Sequence, residues 1–423
     1  MHVQNCMLIN LTCKFYNMNW TLTVKNFGPF KDLSIDLKPL TIFIGRNSTG
    51  KSLLLRLLWS ISSAEPKDFE KEFENLGGYS KKGTLSLKDK GAVKEYAKLY
   101  MRAFSISLLK GIEKKINDVL GISGGIKISS ELTTLTVGSS IEPSLDELVE
   151  VEVERTSPLS LVFKVKGEEV REDNIYTKDD LDDVLFTRSM HFTYSLFYPL
   201  LNPGVTTFLV DGRANLTEFL QSSIRLYDLL DPVSKEYVDS YYKLLNEFNE
   251  GKVDISMLRD FLDELGFKVV EKDGFKLPYV EMWNKTNLPL SQAPSGIRES
   301  LSIALALGSQ GVSVVYIEEP EAHLHPKAQR ILAKLIANAV NNGKYVLLTT
   351  HSDYLLYSLS NIIALSRKGT GALEPNKVAV YLLRREGEFS KAEKVRVDEE
   401  GISEEEFTKV AEEILDERDY IFG

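Results

Sequence analysis

TIFIGRNSTGKS, residues 41–52, decides how the rest of the chain is read. An apolar run ends at Gly45, and the spacing Gly45-x4-Gly50-Lys51-Ser52 opens directly into LLLRLLW. Strand, glycine-rich loop, helix is the context in which GxxxxGK[ST] marks a phosphate-binding loop. Glycines let the backbone curl so that N–H groups face the β- and γ-phosphates. Lys51 adds a positive point charge, Ser52 offers a hydroxyl to Mg²⁺, and the start of the helix favours an anion. A glycine turn before a buried helix would not need both glycines, the lysine and the serine in register with the strand-to-helix switch. The spacing therefore predicts a nucleoside triphosphate held by Gly45, Arg46, Asn47, Ser48, Thr49, Gly50, Lys51, Ser52 and Leu53.

The remaining composition sets wide bounds. A chain of 423 residues can bury a large core, and its length predicts two or three domains. No run approaches the roughly 20 apolar residues needed to cross a bilayer, and the N-terminus lacks the basic and apolar regions of a secretory signal. The expectation is a cytoplasmic protein with no membrane insertion. With 51 Lys+Arg against 61 Asp+Glu the net charge is −10, which gives no overall electrostatic case for nucleic acid, although a local basic face is compatible with it. Both cysteines, Cys6 and Cys13, lie near the start, so the body of the fold has neither a disulfide framework nor a cysteine zinc site. Residues 1–17 show no consistent face, and alternation begins only at Trp20. They read as a disordered extension, with Met1 and Met18 both open as the native start.

Along the chain, TLTVKNFG (21–28) and LSIDL (33–37) alternate around a Gly-Pro turn and predict a hairpin leading into the loop strand. Residues 61–91 turn polar, a helical spacing follows over 92–121, then strand-like runs GIKISS with LTTLTV, ELVEVEVER and LSLVFKVKG, and a second helix over 178–200. The organisation predicted is one nucleotide-binding domain of residues 18–60 and 206–423, interrupted by a mixed α+β arm or lid at 61–205. The domain resumes at TTFLVDGRANL (206–216), runs through helices to about 265, and adds strand-like FKVVEK and FKLPYVEMW.

The second half of the site lies about 260 residues after the loop. VSVVYIEEPEAHLHP (312–326) is an apolar strand ending in two carboxylates, before a helix over 327–342 closed by Gly343. An acid at such a strand end holds Mg²⁺ through water, and a second beside it polarises the attacking water: Glu318 and Glu319 take these roles. His323 and His325 sit two apart, as metal ligands do, but Pro326 opens the next helix and few other ligands stand near. A positioning turn is the better reading. KYVLLTTHSDYLL repeats strand-then-helix with His351 at the strand end, on the rim where open α/β sheets bind ligands. His351 is read as a γ-phosphate sensor and Ser352 as the helix cap. In SQAPSGIRESLSIALALG (291–308), Ser295-Gly296 begins a helix, a place suited both to an anion and to an ordinary cap.

GRNSTGKS, PSGIRES, IEEPEAHLHP and TTHS, in that order, resemble the Walker A, signature, Walker B/D-loop and switch-histidine motifs of ABC-type ATPase heads. NFGPFKDLSIDLKPLTIFIG and EEPEAHLHP resemble the AAA-type ATPases of the overcoming-lysogenization-defect (OLD) family and the related SMC heads. The likeness covers roughly residues 18–60 and 206–420. It implies a doubly wound α/β P-loop NTPase fold, ATP and Mg²⁺ as cofactors, and Lys51, Glu319 and His351 as the catalytic set, with Ser52 and Glu318 on the metal. It also implies a homodimer in which ATP on one subunit meets Ser295-Gly296 of the other, with Ala322–His325 as the D-loop. Two departures accompany it. No glutamine stands in a Q-loop context, with Arg213 a candidate phosphate-side contact, and the roughly 70 residues after His351 leave no room for the Toprim nuclease domain of full OLD nucleases. The function expected is an ATP-driven dimer switch in DNA handling or anti-phage defence, with a partner nuclease or DNA. A transporter ATPase subunit and a slow ATP-timed binding module are the alternatives.

Overall fold

The computed structural model describes residues 20–78, 85–130, 132–165, 168–196, 205–213, 216, 224–272, 275–369, 373–403 and 408–422. The expected extension at 1–17 lies outside them. The described chain forms two compact units, one from the described parts of Met1–Gly28 and Ser60–Gly204, the other from Pro29–Trp59 and Val205–Gly423.

The first unit contains the strand Trp20–Phe27, which begins at the first alternating residue of the sequence and pairs antiparallel with Gly125–Ser129. Thr134–Thr136 and Ser140–Glu142 extend that sheet. A 31-residue helix, Lys90–Leu120, starts where the Asp89 carboxylate accepts the Ala92 N–H and stops at left-handed Gly121. Its Tyr96, Tyr100 and Phe104 pack against Phe69 and Phe73 of the short helix Phe69–Asn75. A separate antiparallel sheet is made of Glu150–Thr156, Leu159–Val165 and Glu168–Ile175. The predicted helix at 178–200 is described from Lys178 to Leu196.

The second unit holds the phosphate loop and the motifs around Ser295, Glu318 and His351, whereas the alternating strand Trp20–Phe27, which the sequence reading placed with them in the head, falls in the first unit. The strands of the second unit are β1 (Phe30–Leu37), β2 (Leu40–Gly45), β3 (Thr206–Leu209), β4 (Val314–Glu318), β5 (Tyr345–Thr349), β6 (Val378–Glu386) and β7 (Phe389–Val395). They lie in the order β3-β4-β5-β2-β6-β7-β1. From β3 to β6 all neighbours are parallel, and β7 returns antiparallel from β6. Strands β4 and β5 are buried throughout, as a parallel sheet covered on both faces requires. This is the P-loop NTPase architecture.

The helices are α1 (Lys51–Ser62), α2 (Pro232–Asn249), α3 (Ile255–Glu264), α4 (Ser295–Gly308), α5 (Pro326–Asn341), α6 (Asp353–Ala364) and α7 (Thr408–Phe422). α5 takes Pro326 in its first turn, where a missing N–H costs nothing, and buries Ala328, Leu332, Leu335, Ile336 and Ala339 on one stripe. In α6 the Ser352 hydroxyl accepts the Leu355 N–H, the cap expected of it. Phe267–Lys272, Phe275–Glu281 and a third strand absent from the sequence reading, Asn287–Pro289, form a small sheet ahead of α4. Since β3, β4, β5, β2 and β6 run in one direction, their carboxyl ends share one rim. The strand order reverses around β2, which puts the phosphate loop at the switch point.

Candidate functional site

The loop between β2 and α1 requires its glycines for two separate reasons. Gly45 has φ +134°, and a methyl group there would run into the Leu383 carbonyl oxygen of β6 while lying 3.1 Å from its carbon. Gly50 has φ +95°, and a methyl group would lie 2.5 Å from the buried Phe30 ring. The Thr49 hydroxyl donates to the Arg46 carbonyl at 2.9 Å and closes the curl. The Lys51 ammonium donates to the Gly45 and Arg46 carbonyls, both at 3.0 Å. Burial lowers its pKa, against the pull of Glu319 and Glu321. Two loop carbonyls thus hold the cation where a triphosphate would take it over.

At the end of β4 the two acids have different surroundings. Glu318 is 1% exposed. Its Oε1 accepts from Arg56 Nε at 2.9 Å, and its Oε2 from Arg56 Nη2 and the Asp211 N–H, each at 3.1 Å. Arg56 lies one turn beyond Ser52 on α1, so the i,i+4 spacing brings the metal-side serine and the guanidinium to one face. Glu319 has left-handed φ of +44°, uncommon for a side chain of its length. Its carboxylate is partly open, with Oε1 3.6 Å from His351 Nε2. Burial, then the charges of Asp211 and Glu321, raise its pKa above the usual glutamate range.

His351 follows β5, and its backbone N–H donates to Glu321 Oε1 at 2.8 Å. Burial and then Lys51 lower the imidazole pKa. Glu321 itself is 8% exposed, and burial raises its pKa. Lys51, Glu319 and His351 therefore meet on one rim. A cleft of about 670 Å³ opens in front of the loop, lined by Gly45–Thr49, Thr350 and His351, by Leu382–Arg385 of β6 and by Glu413 of α7. Arg56, Asp211, Glu321 and the β6 residues were absent from the sequence reading. Glu321 stood in plain view in EEPEAH.

Ser295 and Gly296 do not line that cleft. Ser295 is the first residue of α4, with Pro294 as its cap, and Gly296 is buried against the His323 backbone, 2.9 Å from where its Cβ would be to the carbonyl carbon. The loop after β4 thus rests on the first turn of α4 within one chain. His323 takes φ +59°, and the His325 ring accepts the Lys327 N–H at 3.2 Å as the cap of α5, which is the positioning turn expected of this pair. Arg213 is a correction. It is fully buried, and its guanidinium donates to the carbonyl oxygens of Val210, just after β3, and Glu318 of β4 instead of facing the phosphate cleft. Its short reach from the end of β3 to the end of β4 engages both terminal nitrogens, while the buried Nε is left without a hydrogen-bond partner among the described residues.

Mg²⁺ fits the residues present as an ion shared with a nucleotide. Among the described residues no three His, Cys, Asp or Glu side chains gather into a cage. The Ser52 hydroxyl stands in the first turn of α1, and Glu318, whose oxygens are largely taken by Arg56 and Asp211, would reach the ion only through water. No helix among the described residues is long and apolar enough to cross a membrane.

Residues 18–356 match the family model described as AAA ATPase domain. Endonuclease GajA of Bacillus cereus (strain VD045) is 24% identical over 358 residues, covering 80% of this chain and 56% of that protein. The chain thus spans about half the length of the curated relative it matches. Among solved structures, the SMC head domain from Thermotoga maritima is 11% identical, with 90% of this chain and 99% of that one covered at a TM-score of 0.36. The Smc head domain with an extended coiled coil bound to the C-terminal domain of ScpA, derived from Pyrococcus furiosus, is 12% identical, with 93% and 98% covered at a TM-score of 0.40.

Proposed function

From the premise that the chain belongs to the AAA ATPase domain family and is a P-loop ATPase, we propose that it hydrolyses Mg²⁺-ATP at the β2–α1 loop and closes as a head-to-head homodimer. The observation that carries the reading is the convergence of Lys51, Glu319 and His351 on one rim, with 3.6 Å between Glu319 Oε1 and His351 Nε2. Backbone N–H groups of Gly45–Leu53 cradle the β- and γ-phosphates, and Lys51 exchanges its two carbonyl partners for phosphate oxygens. Ser52 and Glu318 would hold Mg²⁺, the latter through water. The ion, when bound, neutralises charge on the β- and γ-oxygens.

Glu319 accepts the proton of the attacking water, for which a raised pKa improves the match to neutral pH. His351, beside Glu319, acts as the sensor of the γ-phosphate. Ser295-Gly296 acts in trans on the nucleotide of a second copy, with Ala322–His325 along the interface. The contact of Gly296 with His323 supports this pairing, because it ties both elements to one surface. A role in DNA handling, with a nuclease or DNA as partner, is supported by the likeness to a protein named an endonuclease, of which this chain spans about half; a cytoplasmic setting and anti-phage defence belong to the same proposal.

The test is steady-state ATP hydrolysis with and without Mg²⁺, with light scattering during turnover. Lys51→Ala should lose nucleotide affinity by about 10- to 100-fold, the worth of a charge-assisted contact. A wild-type protein that turns over ATP as a monomer would contradict the dimer model.

A further inference from the structure

Arg213 lies where β3, β4 and α4 come together, and no role in hydrolysis has been given to it above. Its side chain is fully buried. Nη1 donates to the Val210 carbonyl at 2.7 Å and the Glu318 carbonyl at 2.6 Å, and reaches the Leu209 carbonyl at 3.5 Å. Nη2 donates to the Glu319 carbonyl at 3.2 Å. Its counter-charge is Glu299, on the second turn of α4 and itself buried, at 3.7 Å. One planar cation therefore grips both carbonyls of the Glu318–Glu319 pair and anchors them to the helix that begins with Ser295-Gly296.

Glu319 sits at φ +44°, a strained conformation for a non-glycine residue that persists only where neighbours over-determine it. The Thr349 carbonyl fixes the Glu319 N–H at 3.1 Å. Arg213 fixes the opposite side of the same residue through its carbonyl. A left-handed residue at a strand end sends its side chain off the sheet axis, here toward Lys51 and His351.

We infer that Arg213 is a positioning residue for hydrolysis: it locks the backbone that aims Glu319 and, through Glu299, couples that aim to the α4 surface. The inference rests on Glu319 being the base in the proposed reaction. Lysine in this position keeps one charge but lacks the planar fork, so it cannot grip the Val210, Glu318 and Glu319 carbonyls together. It should leave the phosphate loop intact.

The experiment compares wild type, Arg213→Lys, Glu299→Gln, Glu319→Gln and the double variant Arg213→Lys/Glu319→Gln. Bound fluorescent ATP analogue is counted per chain, so that kcat refers to folded sites only. Arg213→Lys should bind nucleotide with unchanged stoichiometry and KM while kcat falls about a hundredfold, the cost of misplacing a reacting group by an ångström. Glu299→Gln, which leaves Arg213 on its carbonyls, should lower kcat by a smaller factor with KM again unchanged. Arg213→Lys should cost nothing further in the Glu319→Gln background, because it acts through that residue. Additive losses in the double variant, or wild-type kcat in a folded Arg213→Lys, would overturn the inference. Should Glu319→Gln itself turn over ATP normally, the proposed reaction fails first, and the two failures are thereby told apart.

Discussion

Replacing Gly45 by alanine separates what the fold asks of the phosphate loop from what the phosphates ask. At φ +134° a side chain costs about 1–3 kcal/mol in backbone strain alone. The added methyl also meets the Leu383 backbone of β6, 3.1 Å from its carbon and 3.2 Å from its nitrogen, with the oxygen nearer still. Leu383 is register partner to Gly45 in the parallel ladder, so it cannot retreat without opening the sheet. Overpacking of this kind adds about 1–3 kcal/mol. The sum, about 2–6 kcal/mol, is a large fraction of the 5–15 kcal/mol typical of a folded domain. At about 2–4 °C per kcal/mol it lowers Tm by roughly 4 to 24 °C. Gly387→Ala is the control: φ is +62°, nothing lies within 4 Å of the added carbon, and only the left-handed penalty of about 1–2 kcal/mol remains. Urea and thermal unfolding without nucleotide, followed by the fluorescence of buried Trp59, would measure both. Equal losses in the two variants, with only ATP binding damaged in Gly45→Ala, would refute the argument that β6 dictates this glycine.

Three further outcomes are expected. The pKa of Glu319 is raised by burial and by the Asp211 and Glu321 charges, so hydrolysis should fall on the acid side at a pH above 4.5, as the base becomes protonated. Asp211→Asn should move that limb to lower pH in kcat/KM profiles. Arg56→Ala leaves the Glu318 carboxylate buried without its guanidinium and should cost about 1–3 kcal/mol, discounted because Arg56 is partly open to water; Glu318→Gln in the same chain should recover part of the loss in urea titrations. Ser295→Arg should block dimer closure while leaving ATP affinity of the single head intact. Mixed with Lys51→Ala it should restore at most one working site per dimer, measured as ATPase activity against mixing ratio.

The parts of the site readable in the sequence are those whose chemistry is local. Gly45 to Ser52 announces itself because glycine conformation, lysine charge and helix start all occur within eight residues. His351 and Glu319 follow from strand ends, since parallel strands put their ends on one rim. The missing parts are non-local. Arg56 reads as one polar position in the apolar helix LLLRLLW, and only folding brings it to Glu318, 262 residues away in sequence. Arg213 reads as an arginine near a strand end, where an anion contact is the ordinary expectation. Its burial goes with carbonyls of Val210, Glu318 and Glu319 that only folding brings to it, and with Glu299 of α4 as counter-charge. The three-residue strand Asn287–Pro289 is too short to show a period, and its existence depends on pairing with Phe275–Glu281.

The central claim, that Glu319 is the base of a Mg²⁺-dependent ATPase built on the β2–α1 loop, is tested most directly by single-turnover hydrolysis in Glu319→Gln. The variant keeps the shape of the side chain and its place 3.6 Å from His351 Nε2, but it cannot accept the proton. ATP should bind as in wild type, remain unhydrolysed through gel filtration, and hold two copies together. Release of phosphate at the wild-type rate would contradict the account.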